Sequence, residues 1–396
     1  MKNFNFDNTI DRHSTQCIKY DCLEQNFGRN DLFPLWIADM DFPVCPDIVN
    51  ALKKRYEHPV LGYTAAPDSY WQSIINWVDH RHGLKIERSE LTFVNGVVRG
   101  IGFAINFFTR PGDKIVIQPP VYHPFRLVPE GNGRVVIENP LIETKDSSSS
   151  FYAMDLEGLE TIFANEQPRM MILCNPHNPA GIQWSADVLA SVARLAKRYN
   201  VIVISDEIHS DLMLDGIRHI PFLSSCPEAE EVSITFGAPS KTFNIAGLES
   251  SWMLIRNPKL REPFFKWMEV NEFSSPSFTA WTGAEAAYTH GEQWLDEMLK
   301  YIEANADAVE EFCSRNIPSI KPIRPEASFL SWLDCRSLNL SQEELIKLFT
   351  DKAKLALNDG CMFGSQGTGF MRLNLGLPRK QLIEAFESLA DAINTL

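Results

Sequence analysis

Short apolar runs alternate with longer amphipathic stretches through the middle of the chain. Several of these runs lack polar alternation, which is typical of strands that are buried on both faces. They are KIVIQ (114–118), RMMILCN (169–175), VIVISD (201–206) and EVSITF (231–236). Residues 185–200 instead carry apolar side chains at helical spacing, with Ser185 placed to cap the helix. Strands separated by helices predict an α/β fold with a mostly parallel sheet between helices.

The pattern changes after about residue 280. A helical stretch is predicted over 281–315, and the strand and helix signals that follow are typical of a smaller α+β domain. They are a strand at 329–334, a helix near 341–353, a strand at 369–376 and a helix from Arg379. The predicted organisation is an N-terminal segment (1–45) that packs with the small domain, a large domain (46–280) and a small C-terminal domain (281–396).

Composition and charge narrow the class of protein. The chain has 396 residues with 44% hydrophobic and 22% charged residues, and its net charge is −14. No basic block offsets this charge, so nucleic acid is not an expected partner. The eight cysteines form no C-x-x-C pair, and neither an apolar leader nor a membrane-length apolar run is present. We therefore expect a cytoplasmic protein with reduced thiols, no membrane span, and an exposed loop at KDSSSS (145–150).

Lys241 is the one charged side chain in GAPSKTFNIAGL (237–248). It follows a predicted buried strand, and open α/β sheets bind ligands beyond the carboxyl ends of their strands. A partly buried lysine loses its proton easily, which suits Schiff-base chemistry. An ordinary solvated loop lysine is the alternative, so Lys241 needs support from other positions.

Acidic and histidine side chains cluster after the strand at 201–206. Asp206 ends that strand, where it can either face a ligand or cap a following helix, and both interpretations remain open. Glu207, His209, Asp211 and His219 are residue types that bind metals, but their spacing matches no standard ligand pattern. A metal site is therefore not expected.

Other polar groups also follow predicted strands. Asn178 lies in the turn CNPHNPAGIQW (174–184), and Tyr122 lies in the loop PPVYHPF (119–125), where its ring can stack on a planar ligand or fill the core. Gly96 to Val98 open an apolar helix and present free backbone N–H groups, a weak phosphate-site signal. Arg372 lies in the strand GFMRLN (369–374), and arginine suits carboxylate recognition. A surface arginine is the alternative there.

Taken in order, these motifs resemble a known group of enzymes. The series Gly96-Val97-Val98, Tyr122, NPHNPAG, SDEIH, PSKTFNIAGL and GFMRLN is similar to fold-type I pyridoxal-phosphate (PLP) enzymes of the aspartate aminotransferase superfamily. The segments WIADMDF (36–42), GYTAAPDSYWQSIINW (62–77) and SSPS (274–277) resemble the C–S lyases of the MalY/PatB type, which include cystathionine β-lyases. The resemblance covers nearly the whole chain and implies a large domain with a seven-stranded sheet.

The resemblance implies roles for individual residues around PLP. Lys241 matches the Schiff-base lysine, Asp206 the partner of the pyridine nitrogen, and Tyr122 the stacked ring; these three are the expected catalytic residues. The expected cofactor-binding set is Gly96, Val97, Val98, Tyr122, Asn178, Asp206, His209, Ser240, Lys241 and Tyr63. Arg372 is expected to bind the substrate α-carboxylate, with Ala38 and Asn178 beside the substrate.

Two positions depart from the aspartate aminotransferases. His209 stands where those enzymes have a tyrosine, and Glu249 stands where they have a phosphate-binding arginine. Both departures look similar to the lyase subgroup, and they leave the role of His209 open. Tyr63 matches a tyrosine that reaches the phosphate across a dimer interface, so the resemblance also implies a homodimer.

The expected activity is β-elimination from a sulfur-containing amino acid, such as cystathionine or a cysteine S-conjugate, giving pyruvate, ammonia and a thiol. Lys241 would remove the Cα proton as a general base. An aminotransferase would use the same residues, because only the fate of the intermediate differs. A non-catalytic protein that keeps the fold is a third possibility, which the complete set of cofactor-type residues disfavours.

Overall fold

The computed structural model describes residues 4–144 and 150–395. Apart from Ser150, the loop predicted at 145–150 lies outside the described residues. None of the helices in the described ranges combines the length and the apolar character needed to cross a bilayer.

The strands fall into one large sheet, one smaller sheet and two short pairs. In chain order they are β1 (Phe33–Pro34), β2 (Leu91–Val94), β3 (Lys114–Ile117), β4 (Val135–Glu138), β5 (Ile142–Glu143), β6 (Tyr152–Ala153), β7 (Met170–Cys174), β8 (Ile202–Asp206), β9 (Ser233–Gly237), β10 (Ser251–Leu254), β11 (Lys321–Ile323), β12 (Leu330–Asp334), β13 (Leu355–Ala356), β14 (Asn358–Asp359) and β15 (Phe370–Asn374).

The α-helices cover both faces of the large sheet and flank the smaller one. They are α1 (Ile18–Asp21), α2 (Leu23–Phe27), α3 (Pro46–Tyr56), α4 (Asp68–His82), α5 (Val97–Phe108), α6 (Pro124–Gly131), α7 (Leu156–Glu166), α8 (Ala186–Tyr199), α9 (Pro227–Val232), α10 (Pro239–Thr242), α11 (Pro258–Val270), α12 (Phe278–His290), α13 (Glu292–Asn316), α14 (Gln342–Lys347) and α15 (Arg379–Ile393).

The large sheet has seven strands in the order β2-β10-β9-β8-β7-β3-β4. Only β10 runs antiparallel to its neighbours, so the predicted mostly parallel α/β sheet is confirmed. Every residue of β7 and β9 is buried, which explains their unbroken apolar runs. Helix α8 begins as predicted, because the Ser185 side chain accepts a hydrogen bond from the Val188 N–H.

Two predicted elements differ from the structure. The strand expected at 231–236 begins only at Ser233, because the two residues before it end α9. The single helix expected over 281–315 is two helices that meet at Gly291. A Cβ at Gly291 would lie 2.4 Å from the Phe243 ring and 2.5 Å from the Ala287 carbonyl oxygen. This close approach requires glycine there, and glycine favours a helix end.

The N-terminal segment is hydrogen-bonded to the C-terminal part of the chain. Strand β1 pairs in parallel with β13, and the Asn374 side-chain amide donates to the carbonyls of Ile37 and Asp39 at 2.7 Å each. The smaller sheet has the order β11-β12-β15-β14 and is antiparallel. The domain boundaries themselves stay predictions, and helix α12 spans the one placed at 280.

Candidate active site

A cavity of about 270 Å³ opens beyond the carboxyl ends of β7, β8 and β9. It brings together residues from six separate parts of the sequence. The residues that line it include ten of the predicted site residues: Ala38, Gly96, Val97, Val98, Tyr122, Asn178, Asp206, His209, Ser240 and Lys241. Parallel strands place their carboxyl ends at one edge of the sheet, so side chains distant in sequence meet there.

Lys241 lies in α10, directly after β9. Its Nζ donates to the carbonyl oxygen of Ala38 in the N-terminal segment. The pKa of Lys241 is lowered to about 8, mainly by burial and also by Arg372, while the carboxylates of Asp39 and Asp206 oppose the change. A substantial fraction of this amine is therefore neutral near neutral pH, as a nucleophile or general base requires.

Asp206 ends β8 and is buried, with 4% of its surface exposed. Its Oδ1 accepts from the backbone N–H of Ile208 at 3.1 Å. Burial raises the pKa of Asp206 to about 7, and Glu207 adds to this effect. The residues after β8 form turns rather than a helix, so the helix-cap interpretation of Asp206 is wrong. A cationic N–H ligand in the cavity would favour the ionised carboxylate.

His209 lines the same cavity and is also buried. Its Nδ1 has no hydrogen-bond partner within the described part of the chain. Burial lowers the pKa of His209 to about 3, with further contributions from Lys241 and Arg372. The imidazole is therefore neutral at physiological pH, and its ring nitrogens remain available to a neutral or acidic ligand.

Arg372 lies in β15 and is buried, so the surface-arginine alternative is wrong. Its guanidinium donates to Asn178 Oδ1 at 3.2 Å, to Asn358 Oδ1 at 2.6 Å and to the Trp36 carbonyl at 2.9 Å. Its Nε has no partner among the described residues. Burial lowers the pKa of Arg372 to about 10. A buried guanidinium without a carboxylate partner is a binding site for an anionic group.

The start of α5 forms one end of the cavity. Gly96 precedes the helix with φ of +129°, a conformation that residues with a side chain rarely adopt. The N–H groups of the first helical turn have no helical acceptor and can bind a phosphate. Arg99, which the sequence interpretation missed, lines this end and forms an ion pair with Glu249 at 2.8 Å. Arg99 therefore brings a positive charge to the region where Glu249 replaces the arginine of aspartate aminotransferases.

The two aromatic predictions have different outcomes. Tyr122 lines the cavity, and its backbone N–H donates to the Asn178 carbonyl at 3.1 Å. Tyr63 is fully exposed and lies outside the set of residues that line the cavity. Its expected contact belongs to a second subunit, so the role of Tyr63 stays a prediction.

A second layer of buried polar residues lies behind this cavity. Glu207 accepts from His219 Nε2 at 2.9 Å, from Ser205 at 2.8 Å and from the Phe222 N–H at 2.9 Å. Asp211 accepts from Trp77 and from Thr242, the residue after Lys241, and its Oδ1 lies 2.9 Å from His82 Nε2. Within the described ranges, no group of three or more potential metal ligands is arranged to hold an ion.

Similarity to known proteins agrees with this arrangement. A family model for aminotransferase class I and II matches residues 30–389. The chain belongs to this family. It is 42% identical to cystathionine beta-lyase PatB from Bacillus subtilis (strain 168), covering 98% of this chain and 100% of the relative. It is 33% identical to protein MalY from Escherichia coli (strain K12), covering 99% and 100%.

A solved member of similar shape carries a cofactor. The structure of cystalysin from Treponema denticola contains pyridoxal 5′-phosphate and matches this chain with a TM-score of 0.94. Their sequences are 32% identical, and the match covers 100% of each chain. The type I fold expected from the sequence is thereby confirmed for this aminotransferase class I and II member.

Proposed function

We propose that this protein is a PLP-dependent C–S β-lyase that releases pyruvate, ammonia and a thiol from a sulfur-containing amino acid. The observation that carries the choice of reaction is the full-length identity of 42% to a cystathionine β-lyase. The cavity supports the cofactor, because it combines a lysine of lowered pKa, a buried carboxylate and free helix N–H groups.

The described residues fit PLP at three points. Asp206 offers a buried carboxylate to the protonated pyridine nitrogen, and Tyr122 offers an aromatic face. The positive φ of Gly96 leaves the start of α5 open for the phosphate. When bound, PLP supplies an electron-accepting ring that stabilises negative charge at the substrate Cα.

Three side chains have separate roles in binding the substrate and moving protons. Arg372 binds the α-carboxylate through its guanidinium, and its bonds to Asn178 and Asn358 fix the orientation of that group. The Lys241 amine takes the Cα proton, for which a pKa of about 8 is well matched. Asp206 would hold the proton on the pyridine nitrogen of the bound cofactor, and the carboxylate would itself be ionised by that contact. The thiolate leaves Cβ with the electron pair of the C–S bond and takes up a proton, and hydrolysis of the released aminoacrylate by water gives pyruvate and ammonia.

The assembly and the location are further parts of this proposal. We propose a homodimer in which Tyr63, exposed in the single chain, reaches the phosphate of the partner's cofactor. We also propose that residues 1–45 pack with the small domain (281–396), since β1 pairs with β13, and that residues 46–280 form the large domain. A cytoplasmic location remains an expectation from the sequence.

The test is pyruvate release from L-cystathionine by the purified PLP-loaded protein, without any added keto acid. We expect steady release, together with a visible absorption band that Lys241→Ala abolishes. Lys266→Ala, which changes an exposed lysine paired with Glu269, is the matched control and should leave both readouts unchanged. If no thioether substrate gives pyruvate, the lyase proposal is wrong.

An aminotransferase is the second candidate function, because the family model that matches the chain includes aminotransferases. It predicts turnover only when a keto acid is supplied, with the absorption band alternating between two forms. The same protein preparation therefore distinguishes the two reactions.

A further inference from the structure

One ion pair borders the end of the cavity that is proposed for the cofactor phosphate. Arg99 lies in the first turn of α5, and Glu249 lies just before β10. Both side chains line the cavity, and Arg99 Nη2 is 2.8 Å from Glu249 Oε1. The two side chains are 51% and 53% exposed. The pair is therefore open to a ligand that enters the cavity.

A phosphate at this end needs a cation to neutralise it. A phosphate monoester carries a charge of about −1.5 to −2 at neutral pH. Among the described residues, the charged side chains that line the cavity are Arg99, Asp206, Lys241 and Glu249. Lys241 and Asp206 already have roles at the reacting atoms and at the ring nitrogen, and Glu249 repels an anion. Within this lining set, Arg99 is the permanent cation that is left for the phosphate.

The Arg99 guanidinium keeps N–H groups free for such a contact. Its Nη1 donates to the Asn95 carbonyl at 2.7 Å, and its Nη2 contacts Glu249. A guanidinium has five N–H groups, so the other three have no recorded acceptor within the described ranges. Asn95 and Glu249 therefore fix the orientation of the guanidinium without using all of its donors.

The backbone beside Arg99 favours the same kind of ligand. Helix α5 has 12 residues, and its first helical hydrogen bond runs from the Gly100 N–H to the Gly96 carbonyl. The N–H groups of residues 97–99 lie before that bond, at the positive end of the helix dipole. All three of these residues line the cavity. Side-chain and backbone donors of Arg99 thus belong to the same turn.

We propose that Arg99 binds the cofactor phosphate through its guanidinium, and that Glu249 and the Asn95 carbonyl hold this guanidinium in place. The negative charge of Glu249 also opposes the phosphate, so the pair sets how tightly the cofactor is held. This inference rests on the PLP dependence in the proposed function but not on the choice between lyase and aminotransferase. Exposed ion pairs contribute little to stability, so both residues can be changed in a folded protein.

The experiment measures the dissociation constants of PLP and of pyridoxal, which lacks only the phosphate. Absorbance titration of the cofactor-free protein at low ionic strength gives both constants. Arg99→Ala should weaken PLP binding about tenfold to a hundredfold, the size expected for lost bonds between charged groups. Pyridoxal binding should stay within about twofold of the unmodified protein, because the ring and the aldehyde keep their contacts.

Two further arginine variants serve as controls. Arg99→Lys keeps the positive charge, so PLP binding should weaken by no more than about threefold. Arg198→Ala removes an arginine that is 62% exposed and paired with Glu160, outside the set of residues that line the cavity. This matched control should change neither dissociation constant.

A variant of Glu249 distinguishes phosphate binding from support of the helix start. Glu249→Gln keeps an acceptor for Arg99 but removes the charge that opposes the phosphate. It should tighten PLP binding about fivefold, the size expected when one unit charge near the surface is removed, and leave pyridoxal binding unchanged. If the ion pair merely supported the start of α5, Glu249→Gln and Arg99→Ala would both weaken PLP binding.

The possible outcomes separate this inference from the proposed function. Opposite effects of Arg99→Ala and Glu249→Gln on PLP binding, with little effect on pyridoxal, support the phosphate contact. Unchanged PLP binding in Arg99→Ala, equal losses for PLP and pyridoxal, or weaker PLP binding in both variants overturns it. Pyruvate release by the unmodified protein would leave the lyase intact in each of those cases. Failure of the unmodified protein to bind PLP overturns both proposals.

Discussion

Asp206 and Asp211 are five residues apart and both buried, yet their surroundings push them in opposite directions. Asp206 faces the cavity with one backbone hydrogen bond from Ile208, and burial raises its pKa to about 7. For Asp211 burial also acts to raise the pKa, but hydrogen bonds from His82, Thr242 and Trp77 outweigh it, and the pKa is lowered. The difference is the number of partners that the protein itself supplies.

His209 and His219 also differ in the number of partners that the protein supplies. His209 lines the cavity, and its Nδ1 has no partner in the described ranges, whereas His219 contacts Glu207 and Gln183 through its two ring nitrogens at 2.9 and 2.8 Å. Buried polar groups that lack partners are expensive, so they persist where a ligand completes them. The cavity wall is therefore the ligand-binding layer, and the residues behind it are its support.

The largest expected effect is the difference in kcat between variants of Asp206 and of Asp211. Asp206→Asn should lower kcat for pyruvate release about a hundredfold to a thousandfold, because the ring nitrogen loses its charged partner. Asp211→Asn should lower kcat much less, because Asp211 touches Thr242 rather than the reacting atoms. Steady-state kinetics with saturating PLP measure both. Equal losses would contradict the division into a binding layer and a support layer.

In the cofactor-free protein, the free energy of unfolding should fall more in Asp211→Asn than in Asp206→Asn. Asp211→Asn should lower the free energy of unfolding at pH 7 by about 3 kcal/mol, because it removes the charged acceptor from three buried hydrogen-bonding partners. The lowered pKa of Asp211 stabilises the fold above its unfolded pKa of about 3.9, and this contribution is lost as pH falls through the folded pKa. The deficit of the variant should therefore shrink in acid.

For Asp206 the effect of pH on the free energy of unfolding has the opposite sign. A folded pKa of about 7 means that ionisation destabilises the cofactor-free fold as pH rises from about 4 through 7. Asp206→Asn should thus be neutral below about pH 4 and stabilising above pH 7. Urea unfolding curves at several pH values test both variants together. A loss of stability in Asp206→Asn at pH 8 would show that Asp206 is structural.

The pH dependence of PLP binding should show the lowered pKa of the Lys241 amine. The neutral amine is the nucleophile, so the rate at which cofactor-free protein binds PLP should rise about tenfold per pH unit and level off near pH 8. Stopped-flow absorbance follows the reaction, and free lysine is the control. A rate that still rises steeply at pH 10 would mean that the Lys241 amine has an ordinary pKa.

The smallest effects should come from the two histidines. His209→Phe removes an unpartnered buried nitrogen, so the free energy of unfolding of the cofactor-free protein should change by no more than about 1 kcal/mol. His219→Phe leaves Glu207 and Gln183 without their partner and should lower it by about 2 kcal/mol. Thermal unfolding of the two variants side by side is the measurement. A greater loss in His209→Phe would mean that its ring supports the fold.

The sequence located residues that line this cavity because each of them has a local signal. A strand end marks Lys241, Asp206 and Asn178, and a glycine before an apolar helix marks the proposed phosphate end. Arg99 was missed because its pairing with Glu249 joins residues 150 positions apart, which no local pattern reveals. The ion pair between Arg12 and Asp39 was missed for the same reason, because it joins residues 27 positions apart.

The sequence by itself determined the apolar strands β3, β7, β8 and β9, the cap of α8 at Ser185, and the chemical types available at the strand ends. Those features depend on periodicity and on side chains within a few residues of one another. Only the tertiary structure decided which buried polar groups are satisfied. The pKa of Asp206 is raised and that of Asp211 is lowered, because folding brings partners such as His82 and Trp77 close to Asp211, and no local pattern in the sequence shows this.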